Sequence, residues 1–244
     1  MQPANNIYDL NSDLQPMDLR LKFAQAQRMQ IPNFFPEQTA KEVEAELKAL
    51  DWRLVLNEAG KHFDIHVSQI EALGAQKTAL IIDSAKARAA NGFQYLYENY
   101  PIADMQASGN LKSACLSKLY RTMNEQTILD FLNQVTDAGV SFCDMQATCY
   151  RAGHFLTRHD DGNIGKNRKF AYVYSLCPDW QAEWGGQLQF LNEEGNVEAS
   201  FIPQYNTLSI FSVPYPHHVS QVSEFVNVPR MSITGWFRTG PKTL

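Results

Sequence analysis

The chain has 244 residues and 27.7 kDa, with 44% hydrophobic and 19% charged residues, enough apolar material for a real core and not the composition of a disordered chain. Its 21 basic and 26 acidic residues leave a net charge of −5, which argues against a general affinity for nucleic acid or for an anionic membrane surface. No apolar run approaches the roughly 20 residues of a membrane span, Met1–Leu10 does not read as a signal peptide, and the cysteines, with no CxxC pair, are too sparse for a disulfide scaffold, so a cytoplasmic protein without a membrane or nucleic-acid partner is expected.

No internal repeat or low-complexity tract breaks the chain. Thr39-Ala40-Lys41-Glu42 has the form of a capping box, in which the Thr39 hydroxyl and the Glu42 carboxylate each satisfy a free backbone N–H. Ala40, Val43, Leu47 and Leu50 follow at helical spacing. A second helical stripe runs through Ala85, Ala89, Phe93, Leu96 and Tyr100, and a third through Ile128, Phe131, Leu132 and Val135 after Asn124. Between the first two, Asp51 to Asp83 is mixed and suggests no element. From Gly139 the pattern changes to short β-branched and aromatic segments separated by turn signals every ten residues or so. Lys169–Leu176, Gln187–Leu191, Thr207–Val213 and Met231–Phe237 are the clearest, with turns at Asp160–Gly165, Gly185-Gly186 and Glu194-Gly195-Asn196. Many short strands at this spacing predict a sandwich or barrel, and helices followed by strands predict an α+β protein with its helices on one face of the β structure. With no obvious linker, one domain over 1–244 is expected, helical over about 30–138 and β-rich over about 139–240.

The histidines are His62, His66, His154, His159, His217 and His218. The informative one stands in Phe155-Leu156-Thr157-Arg158-His159-Asp160-Asp161-Gly162. In a strand, residues two apart project from the same face, so His159 and Asp161 point together while Asp160 points away. Such a pair supplies two of the three ligands of a two-histidine-one-carboxylate site that leaves open positions on a non-haem Fe(II). His62-Phe63-Asp64, with His66 beyond it, repeats the spacing in polar, irregular surroundings with no anion-binding partner downstream, and reads as an ordinary surface run. His154 reads as structural or solvent-exposed. The third ligand falls to His217 or His218. His217 shares a face with Val219, as an inward ligand would, whereas His218 shares one with Ser220. In Arg230-Met231-Ser232-Ile233-Thr234-Gly235-Trp236-Phe237, Arg230 and Ser232 again share a face. A guanidinium fork and a hydroxyl at that spacing can hold a carboxylate. Taken singly, each feature also has a bland reading: a surface histidine beside a loop carboxylate, or a solvent-facing arginine on a final strand.

Taken in order, His159-x-Asp161, His217 and Arg230-x-Ser232 resemble the Fe(II)- and 2-oxoglutarate-dependent dioxygenases, and among them the prolyl-hydroxylase-like branch. Cys149-Tyr150-Arg151 resembles the family's tyrosine-bearing strand. Ala171-Tyr172-Val173-Tyr174-Ser175-Leu176 with Trp184-Gly185-Gly186-Gln187-Leu188 resembles the strand–turn–strand that follows it, and His217-His218-Val219-Ser220-Gln221-Val222 fits a His-x-Val-x-x-Val pattern with His217 as the ligand. Similarity is strong over about 139–238 and weaker at Ile31-Pro32-Asn33-Phe34-Phe35, which looks like the family's opening.

The resemblance implies a double-stranded β-helix, a jelly-roll, cupin-like core with the N-terminal helices packed on one sheet. It implies metal ligation by His159, Asp161 and His217, with 2-oxoglutarate chelating the iron. It also implies that Arg230 pairs with the far carboxylate of this co-substrate beside Ser232, and that Tyr150 donates a hydrogen bond to it. Fe(II), 2-oxoglutarate and O2 are the implied cofactors, with ascorbate as an accessory candidate. One departure concerns the co-substrate pocket: where many prolyl hydroxylases carry a second tyrosine, this chain has Ser175, and Tyr172 and Tyr174 fall on the opposite strand face.

By the same resemblance the reaction is hydroxylation of a C–H bond, with release of succinate and CO2, on a prolyl residue of a protein or peptide. A free amino acid or other small molecule is the alternative substrate, and a non-catalytic jelly-roll binding module is the alternative from another class. Zinc hydrolysis would need a catalytic base near the metal, where the chain offers Arg-x-Ser instead. Nucleic-acid demethylation in the family goes with a second arginine six residues after the first, a position held here by Trp236. Arg151, Arg158, Lys166, Arg168 and Lys169 crowd the metal motif. They read either as a patch for an acidic or polypeptide partner or as a solvated loop, and Asp161–Lys169 could be a flap over the metal.

Overall fold

The computed structural model describes residues 7–58, 60–163 and 165–241. The first six residues of the leader reading and Ile164 of the flap reading lie outside them. In chain order the elements are α1 (Pro16–Ala26), β1 (Arg28–Pro32), α2 (Glu37–Lys48), β2 (Arg53–Glu58), β3 (Lys61–His66), α3 (Val67–Ala72), α4 (Ala75–Ala89) and β4 (Tyr95–Tyr100). There follow α5 (Ile102–Ala107), α6 (Ala114–Met123), α7 (Gln126–Thr136), β5 (Phe142–Cys143), β6 (Gln146–Tyr150), β7 (Phe155–His159) and β8 (Arg168–Ser175). The chain ends with β9 (Leu188–Leu191), β10 (Val197–Phe201), β11 (Thr207–Ser212), β12 (His217–Val219) and β13 (Arg230–Arg238).

All strands join one antiparallel sheet in the order β1-β11-β8-β13-β6-β4-β7-β12-β9-β10, with β2 beside β4, β3 outside β2, and β5 on β13. Val173 and Arg230 from one end of this series line the same cavity as Leu188 and His217 from the other, so the sheet curls over on itself into a double-stranded β-helix. Period-two alternation sorts its two faces. On β13, Met231 and Ile233 join the main core while Arg230, Ser232 and Thr234 point inward; on β8, Tyr172 and Tyr174 join that core while Val173 and Ser175 share the inner face. The outer core is filled by Phe23 of α1, Val43 and Leu47 of α2, Leu116 and Leu119 of α6, and Ile128 and Leu132 of α7. Helices α1, α2, α6 and α7 therefore pack on one sheet, as the sequence predicts.

The segment expected to be helical, about 30–138, nevertheless carries strands. The stripe through Ala85, Ala89, Phe93, Leu96 and Tyr100 is split: α4 ends at Ala89, and Leu96 and Tyr100 belong to β4. A spacing of four residues fits a helix turn and one face of a strand equally well, and Asn91-Gly92 marks the break. The unassigned stretch after Asp51 opens with the β2–β3 hairpin, whose Leu54 and Leu56 pack with Leu96, Ile70 and Ala85 beneath α3 and α4. The capping box is not used. Helix α2 starts at Glu37 after Pro36, with no side-chain cap, and Thr39 is buried inside its first turn.

His154 is buried rather than solvent-exposed, and its Nδ1 has no hydrogen-bond partner. Burial, then the charge of Arg151, lowers its pKa from 6.5 to about 4. The folded state thus binds this proton less readily than the unfolded chain, so the contribution to stability is complete above about pH 6.5 and is lost as pH falls toward 4, amounting to about 3 kcal/mol. Urea unfolding at stepped pH should show this loss between those limits, and His154→Gln should flatten the slope there. Equal slopes in the two proteins would contradict the assignment.

Candidate active site

His159 ends β7 and His217 begins β12, and the two are direct partners across the strand pair, with ring centroids 4.1 Å apart. Each ring is oriented by its own backbone: His159 Nδ1 lies 2.9 Å from the Thr157 carbonyl and His217 Nδ1 lies 2.7 Å from the Tyr215 carbonyl. A carbonyl oxygen only accepts, so each Nδ1 carries the proton and each Nε2 presents a lone pair. Asp161 follows β7 in a left-handed conformation, φ 60°, that turns its carboxylate back toward the rings. Its Oδ1 is 3.5 Å from His159 Nε2 and its Oδ2 3.4 Å from His217 Nε2. Burial, then the neighbouring His217, holds the His159 pKa below its usual value, which keeps that ring neutral. Two imidazole Nε2 atoms and a carboxylate thus converge on one point, the donor set of a two-histidine-one-carboxylate metal site. Among the described residues this is the one group of three or more metal-binding side chains, with ligand atoms within 4.8 Å of one another. His62, Asp64 and His66 are not such a group: Asp64 pairs with Arg53, and His66 with Asp51. His218 lies on the other face of β12, with its Nε2 buried away from the triad.

A cavity of about 280 Å³ runs from the triad to Arg230. Arg230 is only 2% exposed, its Nε has no hydrogen-bond partner, and its Nη1 lies 3.4 Å from Ser232 Oγ, which is 2.9 Å from Thr148 Oγ1. The guanidinium carbon stands 5.0 Å from the centroid of the Tyr150 ring, its direct partner across β6 and β13. Among the described residues no carboxylate pairs with Arg230. Burying a charge without a partner costs several kcal/mol, so the site is built for an anion. The Gly185-Gly186 turn makes room for it: a Cβ at Gly186 would approach Arg230 Cδ to 3.0 Å, and one at Gly185, where φ is +71°, would meet the Gln221 carbonyl at 2.0 Å. Burial raises the Tyr150 pKa well beyond the usual phenol value, which keeps its hydroxyl protonated and able to donate. Ser175 faces this interior from β8, while Tyr172 donates to the Asp144 carbonyl and Tyr174 to Asn206 in the outer core.

Further residues of the site escape the sequence reading. Tyr97 stacks on Tyr150 at 5.0 Å, Phe93 lies 5.8 Å from the His159 ring, and the Tyr95 hydroxyl is 2.7 Å from His62 Nδ1, so β4 and β3 form an aromatic wall over the metal position. The usable signal was the alternation of Tyr95, Tyr97 and Asn99, masked by the helical stripe. Behind the carboxylate, Arg168 donates to the Asp161 carbonyl at 3.0 Å and stacks 3.5 Å from the Trp236 ring. The basic residues around the motif are not one patch: Arg151 is paired with buried Glu98, and Arg168 braces Asp161.

Two imidazoles and one carboxylate at the mouth of a double-stranded β-helix, with a buried unpaired cation behind them, define a non-haem iron oxygenase. The 2OG-Fe(II) oxygenase superfamily pattern matches residues 145–238. Over 101 residues the chain is 34% identical to prolyl 3-hydroxylase OGFOD1 of Mus musculus, a match covering 38% of this chain and 18% of that protein. The fold is shared with a prolyl-4-hydroxylase of Pseudomonas putida (TM-score 0.58, 18% identity, 97% of this chain and 100% of the other). It is shared too with a prolyl hydroxylase of Trichoplax adhaerens solved with a hypoxia inducible factor peptide fragment (TM-score 0.57, 17% identity, 91% and 88%). Over residues 145–238 the chain matches the 2OG-Fe(II) oxygenase superfamily, and it is distantly homologous to prolyl hydroxylases. Fe(II) and 2-oxoglutarate are the metal and co-substrate that this family and the His159/Asp161/His217 triad imply; when bound, they supply the oxygen activation. Among the described residues no helix is long and apolar enough to cross a membrane.

Proposed function

We propose that the chain hydroxylates a prolyl residue in a protein or peptide, consuming 2-oxoglutarate and O2 and releasing succinate and CO2. The observation that carries the co-substrate part is Arg230, a buried guanidinium that has no ion-pair partner among the described residues and opens into the cavity holding the triad. In this reading Arg230 and Ser232 bind the far carboxylate of 2-oxoglutarate, Tyr150 donates to the same molecule, and His159, Asp161 and His217 hold the iron. The Tyr97–Tyr150 stack and Leu156 exclude water from the far end of the cavity, so that the bound charges act at low dielectric. The prolyl part draws support from the prolyl 3-hydroxylase match and from the aromatic wall of Phe93, Tyr95 and Tyr97, whose flat faces suit a pyrrolidine ring.

Mass spectrometry of proteins from cells with the enzyme, and with its Asp161→Ala variant, tests this. Prolines that gain one oxygen atom only with the active enzyme are the expected result. Oxidation of a free amino acid instead, with no proline modified, would replace the prolyl reading by a small-molecule one.

A further inference from the structure

The walls of the metal cavity continue beyond it. A second cavity of about 570 Å³ opens under the β2–β3 hairpin, bordered by Arg53, Asp64, Asn99 and Asp104. It shares His62, Tyr97 and Gln146 with the metal cavity, so the two make one trench. Strand geometry explains the continuity. Tyr95, Tyr97 and Asn99 alternate along β4 and project to one face, with Arg53 opposite Asn99, Val55 opposite Tyr97, and Asp64 opposite Val55 on β3. From Tyr95 to Asn99 this wall runs roughly 13 Å, the reach of about four extended residues.

The far end of the trench has a definite chemistry. Asn99 is 6% exposed, and its Oδ1 is buried with no hydrogen-bond partner, although the side chain borders the cavity. A buried acceptor left this way calls for a donor from a ligand. Arg53 is already held by Asp64 at 2.7 Å, whereas Asp104 is exposed and has no ion-pair partner among the described residues. Two carboxylates, one neutralised guanidinium and one unsatisfied carbonyl leave the cavity with an excess of acceptors and of negative charge.

We infer that this second cavity is a subsite for a basic residue, Lys or Arg, lying within about four residues of the target in an extended polypeptide substrate. The inference rests on the peptide-hydroxylase reading and deepens it. A free amino acid fills only the metal cavity, whereas a chain running along β4 occupies both.

The test uses the full chain with Fe(II) and 2-oxoglutarate against a library of acetylated, amidated peptides with one central proline, each flanking position fixed in turn as Lys, Glu or Leu. At one position within four of the proline, Lys should be preferred over Glu by about tenfold, the scale of one charge-assisted hydrogen bond. Asp104→Asn and Asn99→Leu should each collapse that preference while leaving turnover of the Leu peptides unchanged. Because Asp104 is exposed, its variant tests the idea even if Asn99→Leu folds poorly. Hydroxylated peptides with no charge preference at any position, or a preference that survives both variants, would overturn the subsite and leave the prolyl reading intact. No hydroxylation of any peptide, with the iron–co-substrate complex formed, would overturn that reading and the subsite with it.

Discussion

Replacing Asp161 by Ala should abolish the visible charge-transfer band that Fe(II) and 2-oxoglutarate give together under anaerobic conditions. The carboxylate is the one anionic ligand among the three, and it lies within 3.5 Å of both imidazole Nε2 atoms. Without it only the two imidazoles remain, and iron affinity should fall by at least about 100-fold, beyond what the loss of a mere supporting contact costs. His159→Ala and His217→Ala should do the same. His62→Ala and His218→Ala should keep the band, since His62 reaches Tyr95 and His218 points away from the triad. Metal-free stability separates lost ligation from misfolding. The imidazoles of His217 and His159 hold the Asp161 carboxyl below its usual pKa despite its burial, and φ 60° suits Asp better than Ala, so metal-free Asp161→Ala should melt a little below the wild type but still in one cooperative transition. A band that persists in Asp161→Ala, or that vanishes in His218→Ala, would show that the metal is held elsewhere.

What could be read from the chain beforehand follows from the range of the interactions involved. The strand period is local, so neighbours reveal a face: Val219 marks His217 as inward, and Met231 and Ile233 mark Arg230 and Ser232 as the opposite side. The sheet pairing bears out that parity, because β8 and β13 bury alternate residues against the helices. The β2–β3–β4 wall was not legible for the converse reason. One of its faces packs on α3 and α4 and the other lines a polar trench, so Arg53, Asp64 and Asn99 break the apolar signal that would identify strands. Leu96 and Tyr100 then fall at a spacing shared by helix and strand. His62 looked like surface because its partner Tyr95 lies 33 residues away and meets it only through the sheet. Thr39-x-x-Glu42 had the right letters for a cap, but Pro36 starts the helix earlier, and Glu42 accepts from Tyr8 and Gln38 instead.

Replacing Arg230 by Met should move two measurements in opposite directions. Methionine keeps much of the volume and removes the charge, so the buried, unpaired guanidinium disappears from the protein without co-substrate. Since an uncompensated buried charge destabilises, the melting temperature of the variant without ligands should rise. Binding of 2-oxoglutarate should weaken by roughly 30- to 150-fold, the loss of a charge-assisted pair of about 2–3 kcal/mol, while Fe(II) alone binds nearly as before. The stabilisation that saturating 2-oxoglutarate gives the wild type should accordingly be absent from the variant. Arg230→Lys should recover only part of the affinity, because an ammonium cannot make the two parallel hydrogen bonds of a guanidinium. Ser232→Ala should cost less than either, as its hydroxyl keeps no formal charge and leans on Thr148. Unchanged 2-oxoglutarate affinity in Arg230→Met would mean that the guanidinium does not meet the co-substrate. A large fall in ligand-free stability would mean that its charge is already satisfied within the fold, and the case for an anion site at Arg230 would fail with it.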